Sequence, residues 1–331
     1  MTIFVIYMLI VIFVSSFCET KFDILRKRLA LEAIIANPNQ NIVVSPLLVR
    51  FPLCKLASIA SGYSRTELIT VLGINSTRML QNCFEGLKEV IDPLKEIDVL
   101  LLNKIIVNYT DDINPSFITN STNYDVRVDK VGFNYPNMAV SFINRWVEKA
   151  SYKRITRMLD QTDLNNKTSI LLLSVAYIKV TWEFPFDIRL TKNKKFHYRN
   201  GSVSYVPMMS NTGFYSYLND DINNIQIGVT QVFNESDSGL NEILKKDSKV
   251  KNVMISKVKQ SIFIDIDEMG IFRQEPVKEL FDIQNIQKDS SFVHDNIIAD
   301  RPFYFVIGLQ DIYHPLEIEE LFTGVYNGPD Y

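Results

Sequence analysis

The stretch "TSILLLSVAYIKVTW", Thr168 to Trp182, is apolar at nearly every position from Ile170 to Ile178, with Ser174 as the polar interruption. A half-wet strand alternates polar with apolar residues. A run this continuous belongs to a strand covered on both faces. Two further runs share the pattern: "DVLLLNKIIVN" (Asp98 to Asn108) and, far along the chain, "RPFYFVIGL" (Arg301 to Leu309). Buried strands this far apart in sequence require a sheet assembled from distant segments.

Between them lie helical patterns. Lys21 to Ala36 carries Phe22, Leu25, Leu29 and Ala33 on one stripe. "SPLLVRF" starts a helix with Ser45 as cap and Pro46 at the first turn, and Gly62 is its expected stop. "SRTE", Ser64 to Glu67, reads as a capping box opening a short helix that ends at Gly73. "MAVSFINRWVEKA", Met138 to Ala150, returns to helical spacing. Long-range strands among scattered helices predict an α+β fold of high contact order. There is no linker, repeat or low-complexity segment, so residues 19–331 form one predicted domain.

At 331 residues and 47% hydrophobic content, the chain can bury a large core. A formal net charge of −3 gives no global field toward nucleic acid or an anionic membrane. The basic clusters Lys192 to Lys195 and Lys245 to Lys251 read as solvated surface.

Ile3 to Phe17 is apolar and uncharged, too short for a bilayer span of about 20 residues and suited to a signal-peptide core. Ser16 and Cys18 supply small residues for cleavage before Glu19, which predicts a secreted chain without its first 18 residues; an uncleaved anchor is the alternative. Cys54 and Cys83 then remain, and Cys54, inside an apolar run, reads as a buried free thiol, with pairing as the alternative. Sequons stand at Asn75, Asn108, Asn120, Asn166, Asn200 and Asn234.

Motifs for catalysis are absent: no nucleophile elbow, P-loop, dinucleotide fingerprint, zinc-protease helix or paired Cys-x-x-Cys. The three histidines, His197, His294 and His314, stand in unrelated settings. Glu317 to Glu320, "EIEE", reads as a solvated bend between strands. No metal, cofactor or catalytic set is expected, and the chain is read as no enzyme.

Several segments, taken in order, resemble the serpin family of serine protease inhibitors. "NIVVSPLLV" (Asn41 to Val49), "SGYSRTELITVLG" (Ser61 to Gly73), "LLLSVAYIKVTWEFPFD" (Leu171 to Asp187) and "YVPMM" (Tyr205 to Met209) match its early landmarks. "GVTQVF" (Gly228 to Phe233), "MISKVKQSIFIDIDEMG" (Met254 to Gly270), "RPFYFVI" (Arg301 to Ile307) and "FTGVYNGP" (Phe322 to Pro329) match the later ones. The compact, divergent, secreted form resembles serpins encoded by poxviruses. The resemblance implies a large central mixed sheet with surrounding helices. It also implies a reactive-centre loop, here within residues 267–299.

This chain departs from the family in three places. Pro207 and Gly228 are only 21 positions apart, so the second and third sheets are expected to be truncated. The polar latch under the central sheet becomes Ser45, Leu48, Ser174 and Gln260, while Trp182 at its top is kept. The hinge, "DEMGIFRQEP" (Asp267 to Pro276), replaces the family's small residues with Ile271, Arg273, Glu275 and Pro276 after Glu268 and Gly270. Trapping requires the cleaved loop to enter the sheet as a strand. Burying Arg273 or Glu275 would cost several kcal/mol per ion, and Pro276 removes a ladder hydrogen bond. The expectation is a secreted, non-trapping serpin that binds an extracellular protein such as a host immune factor. It is expected as a monomer, with no nucleic acid or membrane partner once the leader is gone. One alternative is a functional inhibitor of a serine protease through the loop, with Gln284, Lys288 and Ser291 as scissile candidates; another is a hydrolase with an unrecognised site.

Overall fold

The computed structural model describes residues 4–9, 33 and 35–329 with internal gaps, the largest at 212–230 and 269–297. Its central sheet has the order β4–β3–β5–β8, with β3 Val99–Asn108, β4 Val126–Val131, β5 Ile170–Lys179 and β8 Ile255–Asp265. β3 runs antiparallel to β5 and parallel to β4, and β5 runs parallel to β8, so the sheet is mixed.

The continuous apolar run in β5 has a direct structural cause. Ile170, Leu172, Ala176 and Ile178 face the larger core, where helix α1 (Pro46–Ile59) packs. Leu171, Leu173 and Val175 face a second core covered by helix α5 (Pro136–Ala150), which follows the short helix α4 (Pro115–Thr119), through Ala139, Val140, Ile143 and Val147. Period-two alternation therefore distributes one strand between two dry layers. Lys104, charged within the apolar β3, is accommodated on the α5 side. Its ammonium pairs with Asp129 on β4 and stands 4.4 Å over the Trp146 ring.

A second sheet has the order β1–β9–β10–β2, built from β1 Phe4–Leu9, β2 Ile42–Val44, β9 Phe303–Asp311 and β10 His314–Tyr326. The third consists of β6 Lys192–His197 paired with β7 Val203–Met208. The described lysines of both basic clusters are exposed, as expected, although Ser248 within the second is buried. Among the described residues, no helix is long and apolar enough to cross a membrane.

Four expectations are corrected. Helix α1 stops at Ile59 with Ala60 as its C-cap, and Gly62 instead opens helix α2 (Gly62–Val71) at φ +58°. The Ser64–Glu67 capping box does not form, because both side chains are drawn into tertiary contacts. The Ser64 hydroxyl donates to the Ser238 carbonyl at 2.5 Å, and a Glu67 carboxylate oxygen accepts from the Gln231 N–H at 2.7 Å. Gly239 permits this close approach, since a Cβ there would lie 2.5 Å from the Ser61 carbonyl. Cys54 is not a free thiol: its position on α1 faces Cys83 at the start of helix α3 (Cys83–Ile91), and the two form a disulfide with Cα atoms 6.3 Å apart. Glu317 to Glu320 do not bend away but lie within β10, where register shifts on either side of Ile318–Glu320 accommodate them.

Candidate functional site

Sequence reasoning pointed to the latch beneath the central sheet and to the hinge after β8. The pairing register aligns Asn103, Ser174 and Gln260 across β3, β5 and β8 as one polar row through an apolar layer. Below it lies the N-terminus of α1. The Ser45 hydroxyl caps that helix by accepting from the Leu48 N–H at 3.2 Å and donates to the Leu321 carbonyl at 2.6 Å. Gln260 clamps the Ser45 backbone from above: Oε1 accepts the Ser45 N–H at 3.1 Å, and Nε2 donates to the Ser45 carbonyl at 2.9 Å. Ser174 does not join this clamp. Its hydroxyl donates to Asn103 Oδ1 at 2.7 Å.

The latch is therefore divided. β5 is tied sideways to β3, and β8 is tied downward to α1, leaving no polar side-chain bond between β5 and β8 in this row. Leu48 contributes only its backbone N–H, and its fully buried side chain belongs to the core. Asn103 is a latch residue that sequence reasoning missed, although it interrupts an apolar strand as Ser174 does.

The β5–β8 seam is closed by parallel pairing from Leu171 opposite Lys257 to Lys179 opposite Asp265. Near its upper end Tyr177 stacks on Phe263 with ring centroids 6.1 Å apart. Tyr152 packs edge-on against Tyr177, and the Arg154 guanidinium lies 5.7 Å from the Phe263 centroid. Tyr152 and Lys153 hold φ values of +50° and +65°, a left-handed turn that returns the chain from α5 across this seam. Near the lower end, Asp163 accepts from both Lys257 and Lys259 of β8. Burial would raise the Asp163 carboxyl, but bonds from the Asp160 N–H and the two lysines outweigh it and hold the group well below the usual carboxylate range.

At the hinge, Glu268 is doubly fastened. Its carbonyl accepts from the Phe186 N–H at 2.8 Å, and its carboxylate accepts from the Thr191 hydroxyl at 2.7 Å, which lowers its pKa. Thr191 gave no signal in the sequence, because the contact spans 77 positions. Trp182, Gly270, Ile271, Arg273, Glu275, Pro276, Gln284, Lys288 and Ser291 lie outside the described residues, as do Asn75, Asn120 and Asn166. Of the other sequon residues, Asn200 and Asn234 are exposed turn positions, whereas Asn108 ends β3 with 9% exposure. Lys55, buried in α1 and donating to the Phe117 carbonyl at 2.8 Å, has its pKa lowered by burial to about 8.

The model of the family described as serpin (serine protease inhibitor) matches residues 25–227. The chain belongs to the serpin family. Among curated serpin relatives, Antichymotrypsin-2 of Bombyx mori is 27% identical over 66% of this chain and 59% of its own length. Alaserpin of Manduca sexta is 30% identical over 54% and 46%, respectively. The matched serpin segment thus spans about half the length of those relatives. The solved structures agree on the fold: Arabidopsis AtSerpin1 in its native stressed conformation gives a TM-score of 0.76 at 17% identity, covering 95% of this chain and 100% of that one. Serpin48 of Tenebrio molitor gives 0.73 at 19% identity, covering 94% and 97%. Serpins are generally protease inhibitors rather than catalytic enzymes.

Proposed function

We propose that this serpin is a secreted glycoprotein that binds an extracellular protein, such as a serine protease or an immune factor, without trapping it. The observation that carries the reading is the hinge. Glu268 is fastened to Phe186 and Thr191, and the residues after it include Arg273, Glu275 and Pro276. An inserted strand would have to part β5 from β8 and bury those charges between two dry layers, at a cost of several kcal/mol per ion. The Cys54–Cys83 disulfide fits an oxidising compartment, which supports export after removal of residues 1–18. That removal takes β1 from its pairing with β9.

The second reading, inhibition of a serine protease through the loop, draws on relatives named Antichymotrypsin-2 and Antitrypsin. Other relatives are named corticosteroid-binding globulins, which lends weight to a binding role within the same family. The test is to nick the loop between 271 and 299 with a non-target protease and compare melting curves. An unchanged or lower Tm is the expected result. A rise of tens of degrees, or a detergent-resistant complex with a protease, would restore the trapping reading. N-terminal sequencing of protein from culture medium should begin at Glu19.

A further inference from the structure

The turn that returns the chain from α5 across the upper β5–β8 seam is costlier than a connection needs to be. Tyr152 and Lys153 both stand in the left-handed region, at φ +50° and +65°. Glycine adopts that conformation freely, whereas a residue with a Cβ is strained there. Backbone bonds hold the turn in place. The Lys153 N–H donates to the Glu148 carbonyl at 2.7 Å, and the Arg154 N–H donates to the Ser151 carbonyl at 2.9 Å. Strain kept in place by its surroundings recurs at ligand clamps.

The turn borders a cavity of about 500 Å³ lined by Tyr152, Lys153, Arg154 and Tyr177, a size within the range of small-ligand sites. Tyr177, 5% exposed, is its buried ring, stacked on Phe263. Tyr152 meets Tyr177 edge-on at 6.4 Å yet stays 70% exposed. Two cations accompany these rings. Lys153 is exposed and has no ion-pair partner among the described residues. The Arg154 guanidinium lies over Phe263 and reaches Asp265 only at 4.0 Å, beyond hydrogen-bond distance.

Sealing the seam asks for Tyr177 and Phe263. It does not ask for an exposed tyrosine beside two cations on a strained turn.

We propose that this cavity takes a tyrosine ring carrying a sulfate ester, displayed by the extracellular partner. The ring packs against Tyr152 and Tyr177, and the anion meets the planar fork of Arg154 and the ammonium of Lys153. A quaternary ammonium, the other guest of aromatic rings, is repelled by the same two cations. A bare anion leaves the rings unused. The inference rests on the binding role proposed above and names what the partner presents. Tyrosine sulfation occurs in the secretory pathway, which fits an extracellular partner.

The experiment uses the full protein and a short fluorescein-labelled Gly/Ser peptide with one central sulfotyrosine, with Kd read by fluorescence anisotropy. The unmodified tyrosine peptide should bind about tenfold more weakly, and inorganic sulfate should compete poorly. Arg154→Gln should also lose about tenfold, and Tyr152→Ala several-fold. Arg145→Gln, an exposed arginine elsewhere on α5, should bind as wild type. Lys153→Gly separates the two readings of the turn. It should weaken binding several-fold while holding or raising Tm, whereas a purely structural turn would keep its affinity. Melting curves confirm that the other variants are folded. Equal binding of the sulfated and plain peptides would overturn the anion site. Unchanged affinity in Arg154→Gln and Lys153→Gly would overturn its location, and tighter binding of a phosphotyrosine peptide would overturn the sulfate. Trapping of a protease, or absence of the protein from the medium, would overturn the reading above and leave the peptide data standing.

Discussion

Replacing Gln260 with alanine tests whether the divided latch holds the sheet over α1. Gln260 makes both polar contacts between β8 and the Ser45 backbone. Ser45 is fully buried, so water cannot replace the lost acceptor for its N–H. Each hydrogen bond contributes about 1 kcal/mol net, and stranding a buried N–H costs about 1–3 kcal/mol. The Ser45 carbonyl keeps a second partner in the Val49 N–H at 3.4 Å, so its loss is the smaller. The expected destabilisation is about 2–3 kcal/mol, read as a lowered midpoint in equilibrium urea unfolding. Ser174→Ala should weaken the β3–β5 tie instead. Because its bond goes to Asn103 and not to the clamp, its coupling to Gln260→Ala should come only from packing between paired positions and stay below about 1 kcal/mol in a double-mutant cycle. A loss below about 0.5 kcal/mol for Gln260→Ala would show that the clamp does not bear on stability. A strong departure from additivity would show that Ser174 and Gln260 act as one unit after all.

The remaining predictions concern charges and glycans. Lys55 has a folded-state pKa near 8 against an ordinary 10.5, so both states are protonated below pH 8 and the burial cost is fully present there. Stability should therefore rise with pH between about 8 and 10.5, by at most about 3 kcal/mol, and Lys55→Met, compared by urea unfolding across that window, should abolish the rise. Asp163→Asn should cost about 1–3 kcal/mol at neutral pH. The lowered folded pKa makes this contribution present above about pH 4 and lost as the pH falls further, so wild type and variant should converge only in acid melts. Glycosidase treatment of the secreted protein should lower its mass by more than one glycan, and Asn200→Gln and Asn234→Gln should each remove one unit by mass spectrometry. Asn108→Gln should remove none, since that residue ends β3 with 9% exposure.

The sequence by itself determined the sheet's inner strands, because β3 and β5 are apolar on both faces and only a two-sided cover satisfies them. It also determined the first turn of α1, since the Ser45 hydroxyl accepts from an N–H only three positions on, that of Leu48. The ordered landmarks carried the family, and the charges at Arg273 and Glu275 with Pro276 carried the argument about the hinge. What local pattern could not decide was the destination of each polar side chain. Ser64 and Glu67 satisfy a local capping rule, yet tertiary structure draws them to Ser238 and Gln231, because a buried partner and a close-packed Gly239 outweigh a solvent-exposed cap. Gly62 looked like a terminator and instead opens a helix. Cys54 sits among apolar residues, and only the docking of α3 against α1 brings Cys83 within bonding reach. Asn103, Thr191 and the Asp163 cluster are parts of the site whose partners lie 71, 77 and at least 94 positions away. Periodicity reports which face of an element is dry, but such pairings exist only once the register between distant strands has been set.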